Sequence, residues 1–163
     1  MRPEGNLSRQ ETWDVPPQPK EHTLRIILPA TEAAVRRGLE SIKSGLGSVG
    51  YGQDELASLE IVLAEALNNI VEHAYADHSD GMIEIHLSQT AKGLWCTILD
   101  NGQMMPGGEP PIGRSANLDC EVADLPEGGF GWFLIRELAH ELEYVREGDR
   151  NRLCFRMSIG HMA

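Results

Sequence analysis

Residues 55–75, with the sequence ELASLEIVLAEALNNIVEHAY, decide the fold of this chain. Apolar side chains recur along the stretch at steps of three or four residues, as expected for a helix with one apolar face. The residues that share this face are Leu56, Leu59, Leu63, Leu67, Ile70 and Ala74. We therefore predict a long helix from Glu55 to Tyr75, with Asp54 as its N-cap, packed by one face against a core.

Segments on either side of this helix alternate between strand-like and helical patterns. Strands are predicted over residues 23–28, 82–88 and 94–99, and in a closing hairpin over 143–146 and 153–159. Further helices are predicted over residues 31–44, up to a glycine-rich break, and over 132–142. This order favours an α+β fold, a two-layer α/β sandwich with helices on one face of a mixed, mainly antiparallel sheet.

Charge and composition exclude several classes of function. Of 163 residues, 25 are acidic and 14 are basic, which gives a formal charge of −11. Such a chain is poorly suited to bind nucleic acid or an anionic membrane over a broad face. The first 20 residues are polar and no run of 18 apolar residues occurs, so we expect a cytoplasmic protein. The three cysteines, Cys96, Cys120 and Cys154, fit no metal spacing and are expected to be reduced thiols.

Three polar residues follow one another along the long helix at steps of four. Glu65, Asn69 and His73 form a single strip beside the apolar face, because each four-residue step turns the helix by only about 40°. A carboxylate can act as a general base, and an asparagine oxygen suits Mg²⁺. An ordinary solvated helix edge would have the same pattern.

Two glycine motifs lie further along the chain. Asp100-Asn101-Gly102 follows a predicted strand, where a carboxylate can point into a cleft, although the sequence also suits a plain turn. Gly128-Gly129-Phe130-Gly131 opens a predicted helix, where free backbone N–H groups favour a phosphate, although it could be a flexible loop end. Neither motif is a P-loop or a Rossmann fingerprint.

The order and spacing of the three motifs resemble the N, G1 and G2 boxes of the GHKL ATPase superfamily, which has the Bergerat, or histidine-kinase-like ATPase, fold. The resemblance covers residues 22–160. The stretches EALNNIVEHAY (Glu65–Tyr75), ILDNG (Ile98–Gly102) and GGFGWFLIRELAHELEY (128–144) are most similar to the anti-sigma-factor serine kinases. Residues 1–21, rich in proline, are expected to be a flexible tail.

The resemblance implies a role for each matching residue at the phosphate end of an ATP site. Asn69 would coordinate Mg²⁺, and Glu65 would act as the base toward a substrate serine. Gly129 and Gly131 would line the triphosphate, and Arg114 would reach the γ-phosphate.

At the base end, the resemblance implies that Asp100 accepts a hydrogen bond from the adenine amino group and that Gly102 lets the base approach closely. Residues 103–128 would form the ATP lid. The sequence departs from the family pattern at two positions near the expected adenine site. Met104 replaces the second glycine of the usual D-x-G-x-G, and Cys154 lies about where a Thr or Ser often adjoins the adenine.

The function implied is that of an ATP-binding anti-sigma regulatory factor with protein serine kinase activity. It would bind a sigma factor, phosphorylate a serine of an anti-sigma-factor antagonist, form a homodimer and use ATP with Mg²⁺, without nucleic-acid or membrane partners. The alternative is a catalytically weak or silent ATP-binding module that works by partner switching. A detached histidine-kinase domain is disfavoured, because only His22 precedes the first predicted helix.

Overall fold

In the part of the chain that the structure describes, five strands form one sheet in the order β1-β2-β3-β5-β4. The structure is a computed structural model and describes residues 23–75, 80–112 and 130–160. The strands are β1 (Thr23–Pro29), β2 (Met82–Thr90), β3 (Gly93–Asp100), β4 (His140–Glu147) and β5 (Arg150–Met157). All neighbouring strands pair antiparallel, so the described sheet lacks the parallel component that the sequence allowed.

Within the described ranges, three helices cover one face of this sheet. They are α1 (Glu32–Ser48), α2 (Gln53–Asn69) and α3 (Phe130–Leu138). A π-helical turn, Ile70–Ala74, called the π-turn below, follows α2, and a short 3-10 turn spans Pro106–Gly108. The two layers confirm the predicted α+β sandwich. Among the described residues, no helix is both long and apolar enough to cross a membrane.

Alternation along the strands separates the two faces of the sheet. Ile85 pairs with Ile98, which pairs with Leu153, and all three are buried against the helices. Residues one position along, such as Glu84 and Arg152, lie on the opposite, open face. The side-chain period of two in a strand therefore places the residues at 100 and 151 on the helix-covered side.

The helix boundaries differ from the predicted ones. Helix α1 continues past the predicted end at 44 through two glycines to Ser48, because Leu46 still packs in the core. Helix α2 stops at Asn69, and the π-turn replaces the last regular turn of the predicted helix. Its N-cap is Gly52, and Asp54 lies in the first helical turn.

The prediction of a helix over residues 132–142 was wrong at its C-terminal end. Helix α3 ends at Leu138, and β4 begins at His140. Glu141 has a left-handed backbone (φ 54°), and the pairing of β4 with β5 shifts in register between His140 and Glu143. The irregular start of β4 explains why its first residues show no clear strand period.

Candidate functional site

A cavity of about 440 Å³ opens where the C-terminal end of α2 meets the end of β3. Its lining comes from the π-turn, the segment after β3, helix α3 and the last two strands. The lining residues are Asn69, Ile70, His73, Ala74, Asp100, Gln103, Met104, Met105, Pro106, Pro111, Trp132, Tyr144 and Asn151. The fold thus brings two predicted site residues, Asn69 and Asp100, to one cavity.

Asn69 lies at the last position of α2, where the helix changes to the π-turn. Its side-chain Nδ2 is buried and has no hydrogen-bond partner within the described part of the chain. An unpaired buried polar atom costs folding free energy, so native proteins rarely keep one without a reason. π-helical turns also occur frequently at functional sites. Asn69 lines the cavity, and its side-chain oxygen, Oδ1, is the atom of the amide that can coordinate a cation.

Glu65 lies one helical turn before Asn69 and contacts the first turn of α3. A Cβ atom added to Gly131 would overlap the Oε2 atom of Glu65, so only glycine fits there without displacing that carboxylate. This contact joins the predicted base to the second glycine of the G-x-G motif. The backbone N–H groups in the first turn of a helix have no intrahelical partners and favour anions.

Asp100 ends β3 and is 6% exposed. Its Oδ1 atom accepts hydrogen bonds from the Gly102 backbone N–H (2.9 Å) and from Asn151 Nδ2 (2.7 Å). Burial raises the pKa of Asp100, while these two hydrogen bonds and the charge of Arg146 act to lower it. Among the described residues nothing donates to Oδ2, which leaves one carboxylate oxygen available to a ligand.

Gly102 packs against the π-turn. A Cβ atom at this position would lie 2.5 Å from the carbonyl oxygen of Ala74, and the next residue, Gln103, donates its N–H to the same oxygen at 2.8 Å. The absence of a side chain at Gly102 is thus required by the protein's own backbone. The predicted role in close approach of the base stays a prediction.

Tyr75 links the end of the π-turn to strands β2 and β3. Its hydroxyl accepts a hydrogen bond from the Asn101 N–H (2.7 Å) and donates to the Met82 carbonyl (2.9 Å). The side chain is buried, and burial raises the pKa of Tyr75. The α2 side and the β3 side of the cavity are therefore held together by a bond that the sequence did not predict.

Three further residues of the cavity region were missed from the sequence: Asn151, Tyr144 and Arg146. Asn151 is paired across the sheet with Asp100, and the other two donate hydrogen bonds to its Oδ1 atom. A signal was available in the alternation of the last strand. Since the residues two and four positions further along are apolar, Asn151 shares their face.

The same alternation overturns the prediction for Cys154. Its side chain lies on the open face of the sheet beside Thr97, with Sγ 3.6 Å from the threonine Oγ1, and so points away from Asp100. The residue beside Asp100 is Asn151. His73 lines the cavity with a largely exposed side chain, and Met104 also lines it and is about half exposed.

Several predicted features lie outside the described residues: the tail 1–21, Arg114, Cys120, Gly129 and the greater part of the lid, residues 113–128. Within the ranges the structure covers, no group of three or more His, Cys, Asp or Glu side chains could hold a metal ion.

Comparisons with known proteins agree with these motifs. Residues 28–157 match the family described as histidine kinase-like ATPase domain. The chain is similar to the serine/threonine-protein kinase BtrW of Bordetella bronchiseptica, with 34% identity over 99 residues that cover 59% of this chain and 66% of that protein. It is also similar to the serine-protein kinase RsbW of Halalkalibacterium halodurans, with 28% identity over 123 residues that cover 74% of each chain.

The fold is similar to the crystal structure of the RsbU and RsbW domains of Rv1364c from Mycobacterium tuberculosis. The TM-score is 0.60, with 19% sequence identity, and the match covers 88% of this chain and 34% of that one. At this identity the likeness supports the fold alone. The match to the family over most of the sequence confirms the resemblance drawn from the three motifs, and the chain belongs to the histidine kinase-like ATPase domain family.

Proposed function

We propose that this chain is an ATP-binding anti-sigma regulatory factor with protein serine kinase activity. It binds a sigma factor and phosphorylates a serine of an anti-sigma-factor antagonist. The observation that carries the proposal is the presence, in the lining of one cavity, of Asn69 and of Asp100 with its Oδ2 oxygen available. Family membership and the kinase names of the similar proteins support it.

At the base end of the cavity, Asp100 Oδ2 accepts a hydrogen bond from the adenine amino group. The carboxylate is held for this purpose by Gly102 and Asn151, which both donate to Oδ1. Apolar side chains of the lining, such as Met105 and Trp132, exclude water from the base. An acceptor set in an apolar pocket is the usual way to fix the orientation of a ligand.

At the phosphate end, the side-chain oxygen of Asn69 would hold Mg²⁺, Gly129 and Gly131 would line the triphosphate, and Arg114 would contact the γ-phosphate. When bound, Mg²⁺ neutralises charge on the phosphate oxygens. The residues fit this use, because the amide oxygen of asparagine and phosphate oxygens are the hard ligands that Mg²⁺ prefers. Phosphoryl transfer depends mainly on such positioning and charge neutralisation.

Glu65 takes the proton of the substrate serine. The serine oxygen attacks the γ-phosphorus, its hydroxyl proton passes to the Glu65 carboxylate, and ADP leaves. The contact between Glu65 and Gly131 supports this assignment, because it places the carboxylate beside the start of α3.

We extend the proposal to the organisation of the chain. Residues 22–160 form the ATPase domain, residues 1–21 a flexible tail, and residues 103–128 a lid over the nucleotide. The protein acts in the cytoplasm as a homodimer, and its partners are the sigma factor and the antagonist rather than nucleic acid or membrane.

A comparison of Glu65→Gln with wild type tests the kinase assignment. We expect wild type to transfer phosphate from Mg-ATP to a serine of its antagonist, and Glu65→Gln to bind Mg-ATP normally but transfer at least about a hundredfold more slowly. Phosphoserine detected by mass spectrometry is the readout. Glu72→Gln, with a largely exposed side chain on the π-turn, is the control and should behave as wild type.

One observation favours the alternative, a catalytically silent module that uses ATP only to switch partners. The cavity lining in the described ranges contains no Lys or Arg. Nucleotide-dependent partner binding without phosphoserine in the wild-type reaction would establish this alternative. Equal transfer by wild type and Glu65→Gln would instead leave the kinase in place and remove Glu65 as its base.

A further inference from the structure

Asn151 is a buried polar residue directly opposite Asp100. It is 2% exposed, lies near the start of β5, and is the cross-strand partner of Asp100 on the helix-covered face of the sheet. Its Nδ2 atom donates to Asp100 Oδ1 at 2.7 Å. A buried amide needs partners at both of its ends, so the remaining contacts of Asn151 decide what it can do.

Both ends of the Asn151 amide are satisfied by fixed groups. Its Oδ1 atom accepts from the Tyr144 hydroxyl (2.7 Å) and from Arg146 Nη1 (2.9 Å), both on β4. Its Nδ2 atom lies 3.1 Å from the carbonyl oxygens of Gly102 and Gln103, in addition to Asp100.

These contacts allow only one orientation of the amide. If the amide were flipped, its NH₂ group would face the Arg146 guanidinium, which has only donors, and its oxygen would face the Asp100 carboxylate and two carbonyl groups. The strand pairing and the two β4 side chains therefore fix a donor against Asp100. A hydrogen bond to a charged group is also stronger than a neutral one.

The consequence is an asymmetric carboxylate. Asp100 Oδ1 is occupied by Asn151 and by the Gly102 N–H, while Oδ2 accepts nothing from the residues the structure describes. The hydrogens of the Asn151 amide face acceptors of the chain itself, so they are not presented to a ligand. The polar feature offered to a purine at this point is thus an acceptor.

We propose that Asn151 is the positioning residue that makes this cavity select a 6-aminopurine over a 6-oxopurine, by holding Asp100 with Oδ2 as an open acceptor. The proposal deepens the ATP-binding function given above and rests on it. A 6-amino group donates to Oδ2. A 6-oxo group would place its own acceptor against the carboxylate, and the pocket would then contain unpaired polar atoms.

Isosteric replacement by Asn151→Asp tests the proposal in the full chain. We expect Mg-ATP affinity at about pH 8 to fall about tenfold or more, because two ionised carboxylates then repel each other and Asp100 shifts. The affinity for Mg-ITP, in which a 6-oxo group replaces the 6-amino group of Mg-ATP, should change little in this variant. Calorimetric titration measures both, and thermal unfolding without nucleotide checks that the variant is folded.

The pH dependence separates positioning from a merely structural role. As the pH is lowered toward about 6, Asn151→Asp should regain ATP affinity, since a shared proton rejoins the two carboxylates. The other titratable groups that face Asp100 or the cavity are Arg146, Tyr144, Tyr75 and His73. These groups are the same in wild type and in Asn151→Asp. The difference between the two pH profiles of ATP affinity therefore reports on residues 100 and 151 alone.

Arg152→Gln is the matched control. It also changes the charge by −1, one residue away, but on the open face of the sheet. It should leave the ATP-to-ITP ratio and the pH profile as in wild type. The proposal is wrong if folded Asn151→Asp keeps wild-type ATP affinity with a wild-type pH profile, or if it loses ATP and ITP affinity equally.

Wild-type protein gives an independent check that needs no folded variant. In NMR spectra, the side-chain amide protons of Asn151 should shift with the same midpoint as the Asp100 carboxyl carbon when the pH is changed. Asn151 amide signals that do not shift when Asp100 titrates would overturn the proposal. If wild type binds neither nucleotide, the proposed ATP function fails, and this titration still reports on the Asn151–Asp100 pair.

Discussion

Gly102 is constrained by the chain itself. Its neighbour is the backbone of Ala74 in the π-turn, and a backbone carbonyl cannot swing aside as the tip of a long side chain can. A glycine of a nucleotide motif is usually interpreted through the ligand. At this position the close approach of two protein segments is already sufficient to require it.

Replacing Gly102 by alanine should destabilise the protein even without nucleotide. The added Cβ would lie 2.5 Å from the Ala74 oxygen, and such overpacking costs about 1–3 kcal/mol of unfolding free energy. Chemical denaturation measures the loss. Gly45→Ala is the control. Gly45 lies inside α1, and a Cβ atom there would meet only the Leu24 side chain, at 3.8 Å. We expect this variant to raise the unfolding free energy by about 0.5–1 kcal/mol, because alanine is a better helix residue than glycine. A similar change in both variants would contradict this explanation.

Site residues could be predicted from the sequence where both the type of side chain and its place within a motif were informative. Asn69 and Asp100 were expected in one site from the resemblance of their motifs to a known family, since neither position alone excluded an ordinary polar residue, and both line the cavity. Asn151 was missed because the last strand was predicted to begin at 153, whereas β5 begins at Arg150, and Cys154 was misplaced because the alternation of that strand was not used. Alternation groups Asn151 with apolar neighbours, but only the register of β5 on β3 places it opposite Asp100, and local sequence does not reveal that register.

At the scale of elements, a carboxylate on the open face connects three strands. Glu84 of β2 accepts from Arg25 of β1 and from Arg150 of β5, at 2.6 and 2.9 Å, and lies 2.6 Å from His86 Nε2. Since β3 lies between β2 and β5, the Arg150 contact spans a whole strand. Hydrogen bonds from His86 and Arg25 lower the pKa of Glu84 to about 2.

This cluster should make the stability of the sheet depend on pH. Because the pKa of Glu84 is lower in the folded than in the unfolded chain, its contribution is complete above the ordinary value of 4.5 and is lost as the pH falls toward about 2. We expect Glu84→Gln to lower the unfolding free energy by about 1 kcal/mol at pH 7. The difference from wild type should shrink as the pH falls below the ordinary glutamate pKa of 4.5.

Urea denaturation at a series of pH values measures this difference. The same substitution at Glu143, exposed on the edge strand β4, is the control and should change stability little at any pH. A deficit of Glu84→Gln that stays constant from neutral pH into the acid range would show that the ion pairs are not its source.

Element types were easier to predict than element ends. The apolar stripe of α2 and the alternation of β2 and β3 identified the centre of the fold. The end of α1 was missed because burial of Leu46 outweighs the poor helix propensity of the glycines around it. The end of α3 was missed because Leu142 continues a helical spacing although its segment pairs with β5.

At the scale of the whole molecule, charge is the main constraint on the proposed ligand. The chain has a formal charge of −11, and a nucleotide triphosphate is also strongly anionic. The described cavity lining contributes no Lys or Arg side chain. Under the proposed function, we expect phosphate binding to depend on backbone N–H groups and on a cation that accompanies the phosphates, with Arg114 as the predicted contact to the γ-phosphate.

ATP affinity should therefore depend strongly on Mg²⁺, and Asn69 should be the residue on which this dependence rests. We expect Mg²⁺ to increase the ATP affinity of wild type by about tenfold or more, and Asn69→Ala to lose the greater part of this increase. Calorimetric titration with and without Mg²⁺ is the measurement. Asn68→Ala, the preceding residue of α2, is the control. Equal magnesium dependence in wild type and Asn69→Ala would remove the metal role of Asn69.

The hydrogen bonds that join the π-turn to the end of β3 bear on how the protein would discriminate between ADP and ATP. Asn101 donates to Tyr75, and Gln103 donates to Ala74, so the base end of the cavity is held by contacts within the chain. A preorganised pocket loses little conformational entropy when it is filled. ADP and ATP share their base, so this rigid end treats them alike. Under the proposed function, we therefore expect discrimination between ADP and ATP at the phosphate end, beside Glu65 and the first turn of α3.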